Sequence, residues 1–193
     1  MALDASISEK LSQDEIIERI ATGLYNLASM LVGAGEESAV LVEKTVAAPE
    51  VSLCCCAKDA RRSAKRVLAN LAIRQLGLRD PESLKAPDGP LPKDLCIEDD
   101  DLDSAGLTTE ELEKIFAGPE RERVRNWLEG LKPAIRIVFV LRAVATLSAA
   151  ETARALKVHG GAHSMGWTEA HVRQSFREGL CSLASQILHA AHV

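Results

Sequence analysis

The chain has 193 residues, of which 47% are apolar, 26% charged and only 3% aromatic, with a formal charge of −5. A length near the usual range of about 100 to 200 residues fits one domain or two small ones, and an Ala- and Leu-rich composition poor in aromatic residues points to helices rather than strands. Apolar runs are short and interrupted by Arg136 and Arg142, well below the roughly 18 uninterrupted apolar residues of a membrane-spanning helix, so no span is expected.

The segment MALDASISEKLSQDEIIERI has no basic stretch followed by an apolar run, so no secretory signal is expected and the cytoplasm is the expected compartment. Five cysteines, three of them adjacent at Cys54, Cys55 and Cys56, are an odd and badly spaced set for a disulfide framework. Reduced thiols are therefore the expectation, with most acting as small buried hydrophobes.

Charge is unevenly spread. Residues 1–56 hold three basic and nine acidic side chains (−6), and residues 57–79 hold seven basic against Asp59 alone (+6). Residues 80–122 carry 14 acidic and four basic groups (−10), and residues 123–193 carry nine basic and four acidic (+5). Because salt screens charge beyond about 8 Å, the field that meets a polyanion is local, and two separated basic patches are candidates for one.

In chain order, Ile16, Ile17, Ile20, Leu24, Leu27, Ala28 and Leu31 recur at three- and four-residue steps, which predicts an amphipathic helix over 14–31 opened by a Ser12/Glu15 capping box. Gly33 and Gly35 stop it, and a shorter helix over 36–48 carries Ala39, Val42 and Val46 on one side until Pro49. A third helix over 59–76 turns Ala64, Val67, Leu68, Leu71 and Leu76 inward and gathers Arg61, Arg62, Lys65 and Arg66 outside. Residues 79–107 hold Pro81, Pro87, Pro90 and Pro92 and the run Glu98 to Asp101. They read as an acidic linker in which Leu91, Leu95, Ile97 and Leu102 can dock locally. Helices resume with Leu112, Ile115 and Phe116, then over 120–131 and 133–147. A Ser148/Glu151 capping box opens another through Leu156, and the last, over 168–189, buries Val172, Phe176, Leu180, Leu183 and Ile187. The expected fold is all-α, with two small helical domains at 10–78 and 108–190.

Several stretches resemble bacterial RNA polymerase sigma factors of the sigma-70 family, extracytoplasmic-function type. LYNLASMLVGAGEESAVLVEKTV is similar to the start of their region 2 and RVLANLAIRQL to its end. LEGLKPAIRIVFVLRAVATLSAAETARAL resembles the first half of region 4, and WTEAHVRQSFREGLCSL its recognition helix. The resemblance spans about 150 of the 193 residues in the family's order. Ala39, Val40 and Lys44 stand where the family carries acids, the loop from Pro49 to Asp59 has no aromatic residue, and HGGAHSMG separates the last two helices.

The resemblance implies a transcription initiation factor, not an enzyme, that binds core RNA polymerase and directs it to promoter DNA. It allows an anti-sigma factor as a further partner and implies no cofactor, metal, membrane or small-molecule substrate. Polymerase contact falls to Glu37, Leu41, Glu43 and Thr45. Promoter contact falls to Arg61, Arg62, Lys65, Arg66, Asn70 and Arg74 on the third helix, and to Thr168, His171, Arg173, Gln174 and Arg177 on the last.

The residues support parts of this independently. Clustered Lys and Arg neutralise phosphates with counterion release, and Arg and Gln make bidentate contacts to purines in the major groove. The alternative for the third helix is a solvated face without a ligand, and for the last helix a surface used in protein contacts. Adjacent cysteines suit a zinc tetrahedron poorly, and His159-Gly-Gly-Ala-His163 lacks an accompanying Glu. A different functional class also stays open: a degenerate sigma-like protein that serves as a protein-interaction or helix-turn-helix regulatory module without polymerase-dependent initiation.

Overall fold

A computed structural model of the protein describes residues 13–51, 57–87, 96, 108, 111–112, 115–116, 118–119 and 121–190. Among these the secondary structure is helical throughout, with no strand. The Ser12 cap, Cys54 to Cys56, the acidic run Glu98 to Asp101 and the linker residues Leu91, Leu95, Ile97 and Leu102 lie outside the described residues.

Helix α1 (Gln13–Val32) buries Ile20, Leu24, Leu27, Ala28 and Leu31, as its periodicity requires. Gly33 and Gly35, at φ +96° and +130°, turn the chain back where a side chain would be strained. Helix α2 (Glu36–Val46) follows, and its inward face differs from expectation. Ser38, Leu41 and Thr45 are buried, whereas Ala39 and Val46 are exposed and Val42 is half-buried. The two hydroxyls make this cheap: Ser38 Oγ donates to the Gly33 carbonyl at 2.5 Å and Thr45 Oγ1 to the Leu41 carbonyl at 2.7 Å, so neither enters the core unsatisfied.

Helix α3 (Ala57–Arg79) packs on α1 and α2 and is longer at both ends than the periodicity predicts. Its buried set is wide, taking in Ala60, Ala64, Leu68, Ala69, Ala72, Ile73 and Leu76, while Val67 and Leu71 stay half-buried. Small Ala side chains on two flanks let a second layer approach the helix from the other side. A short 3₁₀ turn, Pro81–Leu84, continues from α3 and inserts Leu84 into the core, so the start of the expected linker is docked.

In the second half, α4 (Arg121–Gly130) leads to α5 (Pro133–Phe139). Here the single helix expected over 133–147 changes character, because Val140–Val144 winds as a π-helix and Thr146 then takes a left-handed φ of 59°. A widened turn followed by that residue ends the helix early and re-aims the chain. Helix α6 (Ala149–His159) opens with the expected capping box: Glu151 N–H donates to Ser148 Oγ at 3.2 Å and Ser148 N–H to Glu151 Oε2 at 2.9 Å. It runs one turn beyond Leu156. After a turn containing the 3₁₀ segment Ala162–Ser164, α7 (Glu169–Ala190) packs on α5 and α6 and buries Val172, Phe176, Leu180 and Leu183.

The two halves share one contiguous cluster of buried residues, running from Leu24 and Leu68 to Phe139, Leu156 and Phe176. Helix α3 lies against α6, the 81–84 turn against α5, and α1 against the π-helical segment. At the heart of this joint the Trp167 indole, 1% exposed, donates to the Leu84 carbonyl at 2.7 Å across 83 residues of sequence.

One expectation about the cysteines is overturned. Cys96 and Cys181 form a disulfide, tying the stretch before α4 to α7 across 85 residues. Spacing alone hid this pair, since the two thiols meet only through tertiary folding.

Candidate nucleic-acid interface

The cationic face of α3 forms because Arg61, Arg62, Lys65 and Arg66 sit at helical steps opposite the apolar stripe. Arg61, Arg62 and Arg66 are exposed, but the lower part of the face is turned toward the second half. Lys65 Nζ donates to the Val144 carbonyl at 2.8 Å, at the end of the π-helical segment. Arg66 Nη2 donates to Glu151 Oε1 at 2.5 Å, and Arg74 Nη2 lies 3.3 Å from His159 Nδ1. Asn70 is half-buried between them, at the edge of α6. Residues expected on a free DNA-binding face thus make the polar seam between α3 and α6.

Electrostatics at the seam follow from these contacts. The Glu151 carboxyl is held below the usual carboxylate range, chiefly by the Ser148 backbone N–H, against the opposing effect of burial, with the Ser148 hydroxyl, Arg66 and Arg62 adding to it. His159 is pushed below the ordinary imidazole value by burial and by the Arg74 guanidinium, which leaves it neutral at pH 7. At that pH a neutral His159 accepts from Arg74.

The four residues assigned to polymerase contact divide. Leu41 is 2% exposed and Thr45 fully buried, so both side chains belong to the core of the first half. Glu37 is exposed but engaged, accepting from Arg79 Nη1 at 2.7 Å and from Gln75 Nε2 at 3.1 Å. Glu43 projects outward from α2.

On α7, Thr168 acts as a cap, its Oγ1 accepting the His171 N–H at 3.2 Å. The His171 ring is half-buried, with Nδ1 3.1 Å from the Gly166 carbonyl and the ring edge-on to Trp167. Gln174 does not lie on the outer face: it is 5% exposed and donates to Glu178 Oε1 at 3.0 Å. Its amide can enter the core because that acceptor lies one turn away on the same helix. Arg173 is exposed beside Glu169 at 3.8 Å, and Arg177 is half-buried. The outward surface at the start of α7 is therefore Thr168, Glu169, Ala170 and Arg173. A shallow groove joins it to Arg154 and Lys157 of α6.

Three participants at the seam, Glu151, Arg154 and His159, carry no sequence signal for that place. Glu151 reads only as half of a capping box, and contacts 79 to 85 residues apart leave no local pattern. Among the described residues no cluster of His, Cys, Asp and Glu is arranged to hold a metal ion, and no helix is long and apolar enough to cross a membrane.

No protein-family model matches the chain, and neither a curated protein nor a solved structure does.

Proposed function

We propose that the chain is a sigma-like transcription initiation factor, with promoter DNA and core RNA polymerase as its partners. The observation that carries this reading is the arrangement of α6 and α7. A capped helix packs against a second helix on whose first turns Thr168, Glu169, Ala170 and Arg173 face solvent, and a groove joins Thr168 and Glu169 to Arg154 and Lys157 of α6 in one outward surface. A helix-turn-helix unit presents its second helix to the major groove with the first crossing the phosphate backbone, and these side chains suit both tasks. In this reading Arg66 and Arg74 of α3 hold the two halves together rather than touching DNA, and Arg61 and Arg62 stay exposed on that helix. Polymerase contact rests on the outer side of α2 at Glu43.

The test is capture of bacterial core RNA polymerase by the full chain at moderate salt, compared with Glu43→Arg. Capture by the wild type that is lost in the variant supports the reading. A folded wild type that captures no polymerase overturns it and favours the second reading, a sigma-like interaction module. Burial of Leu41 and Thr45 and the commitment of Lys65 and Arg66 to the seam speak for that alternative.

A further inference from the structure

Between α3 and α6 the seam opens into a cleft of about 220 Å³, with Arg66 and Asn70 on one wall and Glu151, Arg154, Val158 and His159 on the other. Arg74 stands behind His159, within hydrogen-bond distance of its ring. Two guanidinium groups, Arg66 and Arg154, therefore line a small cavity that contains one carboxylate, with Arg74 a third cation behind the His159 wall. That carboxylate is already engaged, by the α6 capping box and by Arg66. Clustered guanidinium groups repel one another unless an anion sits among them.

The planar forks of arginine match the oxygens of a phosphate in bidentate fashion, and the Asn70 amide offers further donors. Val158 is 66% exposed and, with Leu147 and Ala155, lines the same cleft with an apolar shelf that inorganic phosphate alone would leave uncovered. The cleft is too small for a drug-sized ligand, which needs about 300 Å³ or more. We infer that the α3–α6 cleft is a binding site for a small phosphate monoester, its phosphate held between Arg66 and Arg154 and its organic part laid on Val158. Such a ligand bridges the two halves of the chain and holds α3 against α6.

Arg154 belongs both to this cleft and to the proposed DNA-facing surface, but neither DNA nor polymerase enters the test, so the two readings fail separately. The full chain is titrated calorimetrically at low salt with inorganic phosphate, glycerol 3-phosphate and AMP, and the His159 ring protons are followed by NMR. The expected result is saturable one-to-one binding of at least one ester, tighter than that of inorganic phosphate. Arg154→Gln should weaken it about 10-fold or more, as loss of a charged hydrogen bond does, and Arg173→Gln, outside the cleft, should leave it unchanged. Binding should also raise the pH at which His159 titrates, a change that a purely structural role for Arg154 does not produce. Equal binding of all three compounds, or binding unaffected by Arg154→Gln, overturns the proposal. So does the absence of saturable binding by a protein with an intact helical spectrum.

Discussion

Gly77 of α3 lies against Gly160 so closely that a Cβ built on it would stand 2.8 Å from the Gly160 carbonyl oxygen. The obstructing atom is backbone, which cannot swing aside as a side chain does. Gly77→Ala should therefore push α3 and α6 apart, with an overpacking cost of about 1–3 kcal/mol that outweighs the gain in helix propensity. Urea unfolding followed by circular dichroism checks this. An unchanged midpoint would mean that the helices are not held at this separation.

Arg66 and Glu151 are 49% and 29% exposed, so their ion pair is partly solvated and its contribution small. A double-mutant cycle with Arg66→Ala and Glu151→Ala should return a coupling of about 0.5–1 kcal/mol that shrinks on raising salt. The single Glu151→Ala variant should cost more than that, since it also removes half of the capping box.

His159 gives the seam a pH dependence of defined sign. Its folded-state pKa is depressed by burial and by Arg74, so below the ordinary imidazole value of about 6.5 the unfolded chain takes up a proton that the folded chain resists. Stability contributed by neutral His159 is present above that pH and declines as pH falls through the folded value. Thermal unfolding between pH 7.5 and 5.5 should show the midpoint dropping in the wild type, with a shallower slope in His159→Gln.

Leu41, at 2% exposure, should behave as a core residue. Leu41→Ala is expected to cost about 2–5 kcal/mol in unfolding free energy, whereas Glu43→Arg on the outer side of the same helix should leave stability within about 0.5 kcal/mol. A larger loss from Glu43→Arg than from Leu41→Ala would contradict the register of α2.

Reduction of the Cys96–Cys181 bond should lower stability by about 2–4 kcal/mol, because the bridge closes a long loop in the unfolded chain. Parallel unfolding of the wild type with and without a thiol reductant, beside Cys181→Ser, measures it. The serine variant should match the reduced protein and be indifferent to reductant.

How much of this was legible follows the range of the interactions involved. The α1 stripe from Ile20 to Leu31 and the Ser148/Glu151 box are written in neighbours three or four residues apart, and the fold reproduces them. The inward face of α2 is misread from hydrophobicity alone, because Ser38 and Thr45 satisfy their hydroxyls on nearby backbone and enter the core in place of Ala39 and Val46. The same helical self-satisfaction hides Gln174. Arg66 and Lys65 carry a charge pattern that is equally consistent with phosphate, solvent or an internal acceptor, and nothing within a helical turn discloses that Glu151 and the Val144 carbonyl are waiting across the seam. The disulfide is of the same kind: two cysteines 85 residues apart become partners only once the layers are assembled.

That bridge also decides how the molecule comes apart when its backbone is cut. Helices α4, α5 and α6 and the first half of α7 lie inside the covalent ring that it closes. A protease nick anywhere between 97 and 180 leaves a single oxidised species, seen as one band without reductant and as two fragments with it. A nick between 88 and 95 falls outside the ring. It leaves the fragment bearing α1 to α3 joined to the remainder by noncovalent contacts alone, so whether the two pieces co-elute on gel filtration reads directly how tightly the halves grip one another.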